Sequence, residues 1–251
     1  MSARPDFAGA ARCAKRLGEL SVVLPCLNEI RNLEETVRQA LKVFPGFAER
    51  LEIIIVNDGS TDGTGDLADT LARGSSVVSV IHQQNKGYGG ALKAGFLRAR
   101  FQWIFFSDAD LQFDFGDFEK LLAHLDGADM VIGYRVNCAD GYSRALLRKL
   151  LLAWDRYLFG LPADIKDVNC AFKLVSRTAL TMCMPLNSDG GMISTELLLK
   201  AIRQRLVVRQ VGVRHYPRQA GAQSGGRASV IVKALWETAA LRKTLRQMRS
   251  R

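Results

Sequence analysis

Two aspartates separated by one residue follow a short apolar run, and their side chains are suited to holding a metal ion. Residues 103–106 are rich in aromatic side chains and predict a buried strand, and Asp108 and Asp110 come where that strand should end. Carboxylate oxygens are preferred ligands of Mg²⁺ and Mn²⁺, which proteins often share with substrate phosphates. Two aspartates are also common in a solvated turn, so the metal interpretation needs support from the rest of the chain.

The chain around this pair alternates between apolar runs and helical patterns. Apolar runs of this kind are typical of strands buried on both faces, and their alternation with helices predicts a mostly parallel sheet covered on both sides. The predicted strands are residues 21–25, 53–56, 77–81, 103–106 and 130–132, and the predicted helices are residues 33–44, 66–71, 91–99 and 118–125. The sequence therefore predicts an α/β fold.

Polar residues follow each of the first four predicted strands, at the edge where open α/β sheets bind ligands. Besides the aspartate pair, these clusters contain Pro25, Asn28, Glu29, Asp58, Lys86 and Gly87. Each cluster has a simpler explanation, since the segment after Asp58 is also a tight turn with a helix N-cap, and Gly87 can simply open a helix. The repetition of the pattern at all four strand ends favours a binding site.

Three glycines near Lys86 suggest that this site receives a phosphate. The backbone N–H groups of Gly87, Gly89 and Gly90, together with the Lys86 ammonium, suit an anionic group at the start of a helix. Their spacing is neither that of a P-loop nor that of the dinucleotide fingerprint, which argues against a nucleotide hydrolase or an NAD enzyme.

The overall charge indicates an anionic partner. The chain has 251 residues, with 35 Lys and Arg against 25 Asp and Glu, and a net charge of +10. Nucleic acid is a poor candidate because aromatic residues are not interleaved with the basic ones, and the acidic strand ends would repel its phosphates. Five scattered cysteines without a Cys-x-x-Cys pair predict reduced thiols in a cytoplasmic protein, and we expect neither a signal peptide nor a membrane span.

Four motifs in order identify the class of protein that this sequence resembles. They are VLPCLNE at 23–29, VNDGSTDGT at 56–64, NKGYGGAL at 85–92 and DADLQ at 108–112. They resemble family 2 glycosyltransferases with the GT-A (Rossmann-like) fold, and within that family the dolichol- and polyprenyl-phosphate mannose or glucose synthases. The expected organisation is an N-terminal arm at 1–19, a single GT-A domain at 20–226 and a basic amphipathic helix at 227–251.

The resemblance implies a nucleotide-diphosphate sugar, linked to UDP or GDP, as donor. It places Mg²⁺ or Mn²⁺ on Asp108, Asp110 and Gln112. The implied donor-binding residues are Pro25, Asn28, Glu29, Asp58, Lys86, Gly87, Asp108 and Ala109.

The resemblance also implies that Arg135, Lys173 and Arg218 bind the phosphates of the acceptor and donor. Asp110 and Glu196 are further candidates for the transfer step, with Glu196 near the sugar or orienting a cation. Lys173 replaces the arginine of many family members, and Gly225 replaces a usual lysine. Without the resemblance, Arg135 and Lys173 would be read as part of a solvated basic face, and Glu196 as an ordinary carboxylate at a helix start. The expected reaction is a displacement with inversion that adds the sugar to a polyprenyl phosphate.

Alternatives remain for the acceptor and for the membrane contact. A soluble hydroxyl or amine acceptor would need a general base, for which Asp189 and Glu196 are the candidates. The basic helix at 227–251 suits an anionic membrane surface, but it can also pack on the domain, and a small membrane subunit is a further possible partner. A second apolar helix at 146–159 is expected to pack into the core rather than to contact a lipid.

Overall fold

The computed structural model describes residues 16–136, 142–218, 220 and 237–242. The predicted N-terminal arm lies outside the described residues up to position 15. Of the predicted C-terminal helix, residues 237–242 are described and are helical, and the remainder lies outside, as does Gly225.

The described residues form one seven-stranded sheet. Its strands are β1 Leu17–Cys26, β2 Ala48–Asp58, β3 Val78–Gln83, β4 Trp103–Ser107, β5 Met130–Val136, β6 Phe172–Ser176 and β7 Val208–Arg214. The strand order is β3-β2-β1-β4-β6-β5-β7, and every pairing is parallel except those of β6, which runs antiparallel to β4 and β5. The five predicted strands are confirmed as β1 to β5, and β6 and β7 were not predicted.

Helices cover both faces of the sheet. They are α1 Leu33–Val43, α2 Thr64–Arg73, α3 Tyr88–Arg98, α4 Phe118–Ala123, α5 Tyr142–Phe159, α6 Arg177–Cys183 and α7 Met192–Arg203, with 3₁₀ turns at Phe44–Gly46 and Phe115–Asp117. One core cluster joins α1, α2 and α4 to the sheet, and a second joins α3, α6 and α7 to its other face. The predicted mostly parallel sheet with helices on both faces is therefore confirmed.

The strand that precedes the aspartate pair is fixed by aromatic packing. Phe105 of β4 contacts Phe118 at 5.1 Å and Phe172 at 4.7 Å between ring centroids, both edge to face. Its neighbour Phe106 faces the opposite core and contacts Phe96 of α3 at 5.3 Å. Edge-to-face aromatic pairs add to the free energy of burial, so β4 holds the following turn on a rigid base.

Helix α3 approaches the sheet closely at Gly95. A Cβ atom at this position would overlap the Val23 side chain of β1 and lie 3.3 Å from Val56 of β2. Glycine therefore lets α3 lie flat on the two strands whose ends carry the first two polar clusters.

Among the described helices, none combines the length and the hydropathy that a bilayer crossing requires.

A buried carboxylate at Glu52 joins β2 to β1 and to the segment after α3. Glu52 accepts hydrogen bonds from the Ser21 hydroxyl at 2.6 Å and from the backbone N–H and Nε of Arg100 at 2.6 and 2.8 Å. Burial raises the pKa of Glu52, but these hydrogen bonds outweigh burial and lower it below its ordinary value of 4.5. The ionised form of Glu52 therefore stabilises the fold.

We expect Glu52→Gln to lower the free energy of unfolding at pH 7 by about 1–3 kcal/mol, the range for hydrogen bonds to a charged group. Because the pKa of Glu52 is lowered on folding, this contribution is present above the ordinary pKa and disappears as the pH falls through the folded-state value. Urea denaturation of wild type, Glu52→Gln and the exposed control Glu49→Gln measures it from pH 7 downward. A Glu52→Gln deficit that stays constant with pH would contradict this assignment.

Candidate functional site

The polar clusters gather at one edge of the sheet. Strands β1, β2, β3, β4 and β5 end at this edge, and β6 begins there because it runs in the opposite direction. The residues after β7 also reach it, since the Tyr216 N–H donates to the Gln112 carbonyl at 2.8 Å. The separate clusters therefore lie at one edge of the sheet, and a shared binding site there stays a prediction.

The aspartate pair lies in the turn after β4. Asp110 is buried, Asp108 is half-buried, and Leu111 adopts a left-handed backbone with φ of 63° that reverses the chain. Burial raises the pKa of Asp108 to about 7, and the negative charge of Asp110 acts in the same direction. Burial also raises the pKa of Asp110, although the Gln112 N–H donates to its Oδ1 at 3.1 Å. Two neighbouring carboxylates whose pKa values are both raised by burial favour a bound cation.

The oxygen ligands at this turn fit Mg²⁺ or Mn²⁺ if waters or a substrate supply the further ligands. Within the described ranges, no group of three or more His, Cys, Asp or Glu side chains is arranged to enclose a metal. Mg²⁺ in particular is commonly held by one or two carboxylates, with waters and substrate phosphates completing its shell. Asp108 and Asp110 match that pattern. The Gln112 amide nitrogen donates to the Tyr216 carbonyl at 3.0 Å, so this side chain also ties the turn to the segment after β7.

Arg218 closes one side of the site. Its Nη2 donates to Glu29 and its Nη1 lies 3.5 Å from Asp110 Oδ2. Burial raises the pKa of Glu29, while hydrogen bonds from Asn32 and Arg218 act in the opposite direction. Arg218 thus places a cation between two carboxylates at the position where the sequence predicts the donor diphosphate.

Asp58 organises the loop after β3. Its Oδ1 accepts from Gln83 Nε2 at 2.6 Å and from the Lys86 N–H at 2.8 Å, and its Oδ2 accepts from the Gly87 N–H at 2.8 Å. A carboxylate oxygen accepts two hydrogen bonds, so Oδ2 retains capacity for one donor group of a ligand. Contact of Asp58 with a base or ribose stays a prediction.

The predicted phosphate cradle of glycine amides is wrong in this structure. The Gly87 N–H is used by Asp58, and the N–H groups of Gly89 and Gly90 donate to the Asp189 carbonyl at 2.9 and 3.3 Å. A Cβ at Gly89 would lie 2.5 Å from the Ser188 carbonyl. These glycines therefore let two loops dock closely, and of this cluster only the exposed Lys86 side chain stays open to a phosphate.

The ends of β1 and β2 form a common wall. The Asn28 N–H donates to Ser60 Oγ at 2.9 Å, and Asn28 Oδ1 accepts from the Thr61 N–H at 2.8 Å. The Glu29 N–H donates to Thr64 Oγ1 at 2.9 Å. Asn28 has a left-handed backbone with φ of 57°, which asparagine tolerates better than most residues. This wall fixes Glu29 relative to the turn after β2.

Arg135 and Lys173 do not lie on a solvated face, which corrects the simpler interpretation of both. Arg135 makes a bidentate ion pair with Asp167, with Nε–Oδ2 at 2.7 Å and Nη2–Oδ1 at 3.0 Å. Lys173 is 1% exposed, donates to the Cys170 carbonyl and lies 5.6 Å from the centroid of the Phe106 ring. Burial lowers the pKa of Lys173, and neighbouring anionic groups, Asp108 among them, partly oppose this decrease. Because Lys173 is enclosed, its side chain is not exposed for direct contact with an acceptor.

Glu196 is not positioned to act as a free base, because its carboxylate is already occupied. It is fully buried in α7 and accepts hydrogen bonds from the backbone N–H groups of Asn187 at 3.0 Å and Ser188 at 2.8 Å, and it pairs with Lys200 at 2.6 Å. Burial raises its pKa, but these partners outweigh burial and lower it. Glu196 therefore positions the loop that carries Asp189, and Asp189 itself pairs with Lys93 at 2.5 Å.

The described part of the C-terminal helix supports the same loop. Glu237 Oε1 accepts from the N–H groups of Asp189 at 3.2 Å and Gly190 at 2.6 Å. Leu241 is 3% exposed and belongs to the core cluster that contains α3 and α7. Residues 237–242 thus pack on the domain, in agreement with the second of the two interpretations of this helix.

Two residues of the site, Asp167 and Tyr88, were not predicted from the sequence to be functional. Asp167 orients Arg135, and a buried arginine by itself implies an acidic partner, although the sequence does not say which one. Tyr88 begins α3 beside the aspartate pair, and its pKa is raised well above the ordinary value by burial and then by the charge of Asp108. An aromatic hydroxyl among glycines at a helix start was the available signal.

The GT-A architecture and this arrangement of strand ends define a glycosyltransferase-like class, and comparison with known proteins identifies the family. The family model "Glycosyl transferase family 2" matches residues 21–181. The chain belongs to glycosyl transferase family 2.

Relatives and solved structures agree with this assignment. A dolichyl-phosphate beta-glucosyltransferase of Saccharomyces cerevisiae is 30% identical over 220 residues, 77% of this chain and 66% of the relative. A dodecaprenyl-phosphate galacturonate synthase of Rhizobium johnstonii is 32% identical over 162 residues, 62% of this chain and 47% of the relative. The chain thus spans less than two thirds of the length of these relatives.

A solved structure resembles the whole fold. Glucosyl-3-phosphoglycerate synthase from Mycobacterium tuberculosis, in complex with Mn²⁺, uridine diphosphate and glucosyl-3-phosphoglycerate, superposes with a TM-score of 0.61 at 21% identity. The match covers 97% of this chain and 83% of that one. At this identity the likeness establishes the fold alone.

We expect Arg218→Gln to bind Mn²⁺ about tenfold more tightly than wild type at pH 8 without nucleotide. Removal of the guanidinium leaves Glu29 and Asp110 without a competing cation. A tenfold change is about 1.4 kcal/mol, well within the Coulomb energy of charges a few ångström apart near a protein surface. Isothermal titration of Mn²⁺ measures the affinity, with the exposed Arg209→Gln as a charge-matched control. Equal affinity in all three proteins would contradict the competition.

Proposed function

We propose that this protein is an inverting, metal-dependent hexosyltransferase that moves a sugar from a UDP- or GDP-linked donor to a polyprenyl phosphate of the dolichyl or undecaprenyl type. The observation that carries the proposal is the placement of Asp108 and Asp110 among the cationic groups of Arg135, Lys173 and Arg218. Membership of family 2 and the polyprenyl-phosphate substrates named for two relatives support it.

The donor is proposed to lie against the wall formed by the ends of β1 and β2. Asn28 and Glu29 lie in this wall, the buried Pro25 precedes them in β1, and Asp58 Oδ2 has capacity to accept one hydrogen bond from a base or ribose. The diphosphate then lies over Ala109 and the aspartate pair, within reach of the exposed Lys86. The fold neighbour was solved in complex with uridine diphosphate, which is consistent with a nucleotide-linked donor.

The metal is proposed to be Mg²⁺ or Mn²⁺ held by Asp108 and Asp110. When bound, it neutralises charge that develops on the departing nucleoside diphosphate. Arg218 contributes a second positive charge, and its contacts with Glu29 and Asp110 support a place for it beside the diphosphate. Gln112 holds the turn to Tyr216, so we assign it to positioning in addition to its predicted place beside the metal.

The acceptor is proposed to be a phosphate because the cationic side of the site suits an anion, and because both predicted bases are already paired, Glu196 with Lys200 and Asp189 with Lys93. A lipid phosphate is already ionised near neutral pH and needs no proton removal before attack. Its approach to a diphosphate sugar is opposed by charge repulsion, which the guanidinium of Arg135, oriented by Asp167, and the buried charge of Lys173 offset. Glu196 is occupied by Lys200 and two backbone amides, so a hydroxyl or amine acceptor lacks its predicted base there.

The place of action is proposed to be the cytoplasm at the surface of a membrane. A polyprenyl chain resides in a bilayer, and the net charge of +10 favours an anionic lipid surface. A small membrane subunit is a second way to hold the enzyme near its acceptor.

The test of the proposed function is sugar transfer from a panel of labelled UDP- and GDP-sugars onto a short polyprenyl phosphate, with Mg²⁺ or Mn²⁺. We expect labelled lipid from wild type, no product with EDTA, and a rate about a hundredfold lower for Arg135→Ala, as for loss of one charge-stabilising donor. Arg209→Ala is the matched control for the loss of an arginine. Because Asp167 would be left unpaired, the double variant Arg135→Ala, Asp167→Asn is assayed as well, and melting curves verify folding.

Donor consumption without labelled lipid would contradict the lipid-phosphate acceptor. It would direct attention to a soluble hydroxyl or amine acceptor, the alternative with the same donor chemistry. Full activity of both Arg135 variants would remove Arg135 from the acceptor site.

A further inference from the structure

Helix α5 turns an apolar face toward solvent. Leu150 is 58% exposed, Leu151 42%, Trp154 45% and Tyr157 83%. Residues at positions i, i+4 and i+7 lie on one side of a helix, so Leu150, Trp154 and Tyr157 form a stripe with Leu151 beside it. The expectation that the apolar residues of this helix pack into the core is wrong for these four side chains, which we call the α5 face.

The one acidic residue of this part of the helix, Asp155, faces inward. Asp155 is 4% exposed and accepts a hydrogen bond from Thr195 Oγ1 of α7 at 3.3 Å. Phe159 is also buried, in the core cluster that contains α7. A helix on the surface of a water-soluble domain normally directs its polar side outward. The reversed arrangement in α5 indicates that its outer side meets an apolar phase.

Basic residues border the α5 face. Lys149 is exposed beside Leu150, and Arg156 lies at the inner margin, where its Nη2 donates to the carbonyls of Ala163 and Ile165 at 2.7 and 2.9 Å. Lys166 is exposed as well, with its ammonium 4.3 Å from the centroid of the Tyr134 ring. Between positions 149 and 160 the one acidic residue is Asp155, which faces inward. An apolar face with Trp and Tyr, bordered by Lys and Arg, is the composition of a helix that lies in the headgroup region of an anionic bilayer.

The α5 face is continuous in the chain with the acceptor side of the site. Helix α5 begins shortly after β5, which carries Arg135, and it is followed by the segment that carries Asp167 and by β6 with Lys173. The Arg156 hydrogen bonds hold residues 163–165 directly before Asp167. A contact made through α5 is therefore connected, by the Arg156 hydrogen bonds, to the segment that orients Arg135.

We infer that the α5 face inserts into the interface of an anionic lipid bilayer and so brings the acceptor side of the site to a membrane-embedded polyprenyl phosphate. This inference rests on the proposed function for the identity of the acceptor, but the membrane contact itself does not require it. The occupant is the bilayer rather than a protein because the exposed Lys149 and the half-buried Arg156 flank the face on its own helix, and because the face is a narrow stripe along one helix.

The test uses the full chain and sedimentation with vesicles of phosphatidylcholine alone or with 30% phosphatidylglycerol. We expect wild type to bind the anionic vesicles, and the double variant Leu150→Ser, Trp154→Ser to bind at least tenfold more weakly. Leu97→Ser is the matched control, because Leu97 is 82% exposed on α3 and lies outside the α5 face. Brominated lipid should quench tryptophan fluorescence in wild type and quench it less in Trp154→Phe.

Unchanged vesicle binding by the double variant would overturn the inference. A wild type that dimerises in solution through this face, with dimers lost in the double variant and no vesicle binding by either, would also overturn it and identify a second copy as the occupant. Equal quenching in wild type and Trp154→Phe would exclude insertion at this face.

A second assay separates this inference from the proposed function. The double variant should transfer sugar to a short, water-soluble prenyl phosphate at the wild-type rate, and to a long-chain acceptor in vesicles at least tenfold more slowly. Vesicle binding through α5 without transfer to either acceptor would support the membrane face and contradict the proposed function. Transfer to both acceptors that is insensitive to the double substitution would support the function and contradict the membrane face.

Discussion

Charge balance around two desolvated carboxylates is the constraint on which the rest of the site depends. Burial raises the pKa of both Asp108 and Asp110 in this turn, and the negative charge of Asp110 raises the pKa of Asp108 further. Cationic side chains from three separate elements lie near this pair. They are Arg135 of β5, Lys173 of β6 and Arg218 of the segment after β7. An edge that holds both signs of charge at close range can receive a metal and a diphosphate together, because each incoming charge meets its opposite.

The cations in turn depend on contacts that are not themselves part of the chemistry. Asp167 fixes the guanidinium of Arg135 by two hydrogen bonds, and Glu196 fixes the loop onto which the glycine-rich start of α3 docks. The antiparallel direction of β6 is equally important, since it brings the start of that strand, with Lys173, to the edge where its neighbours end. The same hydrogen bonds thus set both the positions of these charged side chains and their protonation states.

The fold and the position of the site follow from sequence patterns, but the roles of several residues do not. Apolar runs with intervening helices predict β1 to β5, because burial on both faces leaves a continuous apolar signature. β7 was missed because its sequence alternates Val with Arg and Gln on a partly exposed edge. Likewise, a glycine-rich segment predicts close approach but not what approaches, and Gly89 meets a protein carbonyl rather than a phosphate. Long-range pairings such as that of Arg218 with Glu29 are set by tertiary structure, which local patterns do not encode.

The most direct test of the account is the coupling between metal and nucleotide at the aspartate pair. Electron paramagnetic resonance of free Mn²⁺ during titration of the protein, with and without UDP or GDP, measures it. The account predicts one Mn²⁺ per chain, at least tenfold tighter binding with the matching nucleoside diphosphate, and loss of this enhancement in Asp110→Asn. Mn²⁺ binding that ignores both nucleotides, or that survives unchanged in Asp110→Asn, would contradict the claim that these carboxylates hold a metal for a diphosphate.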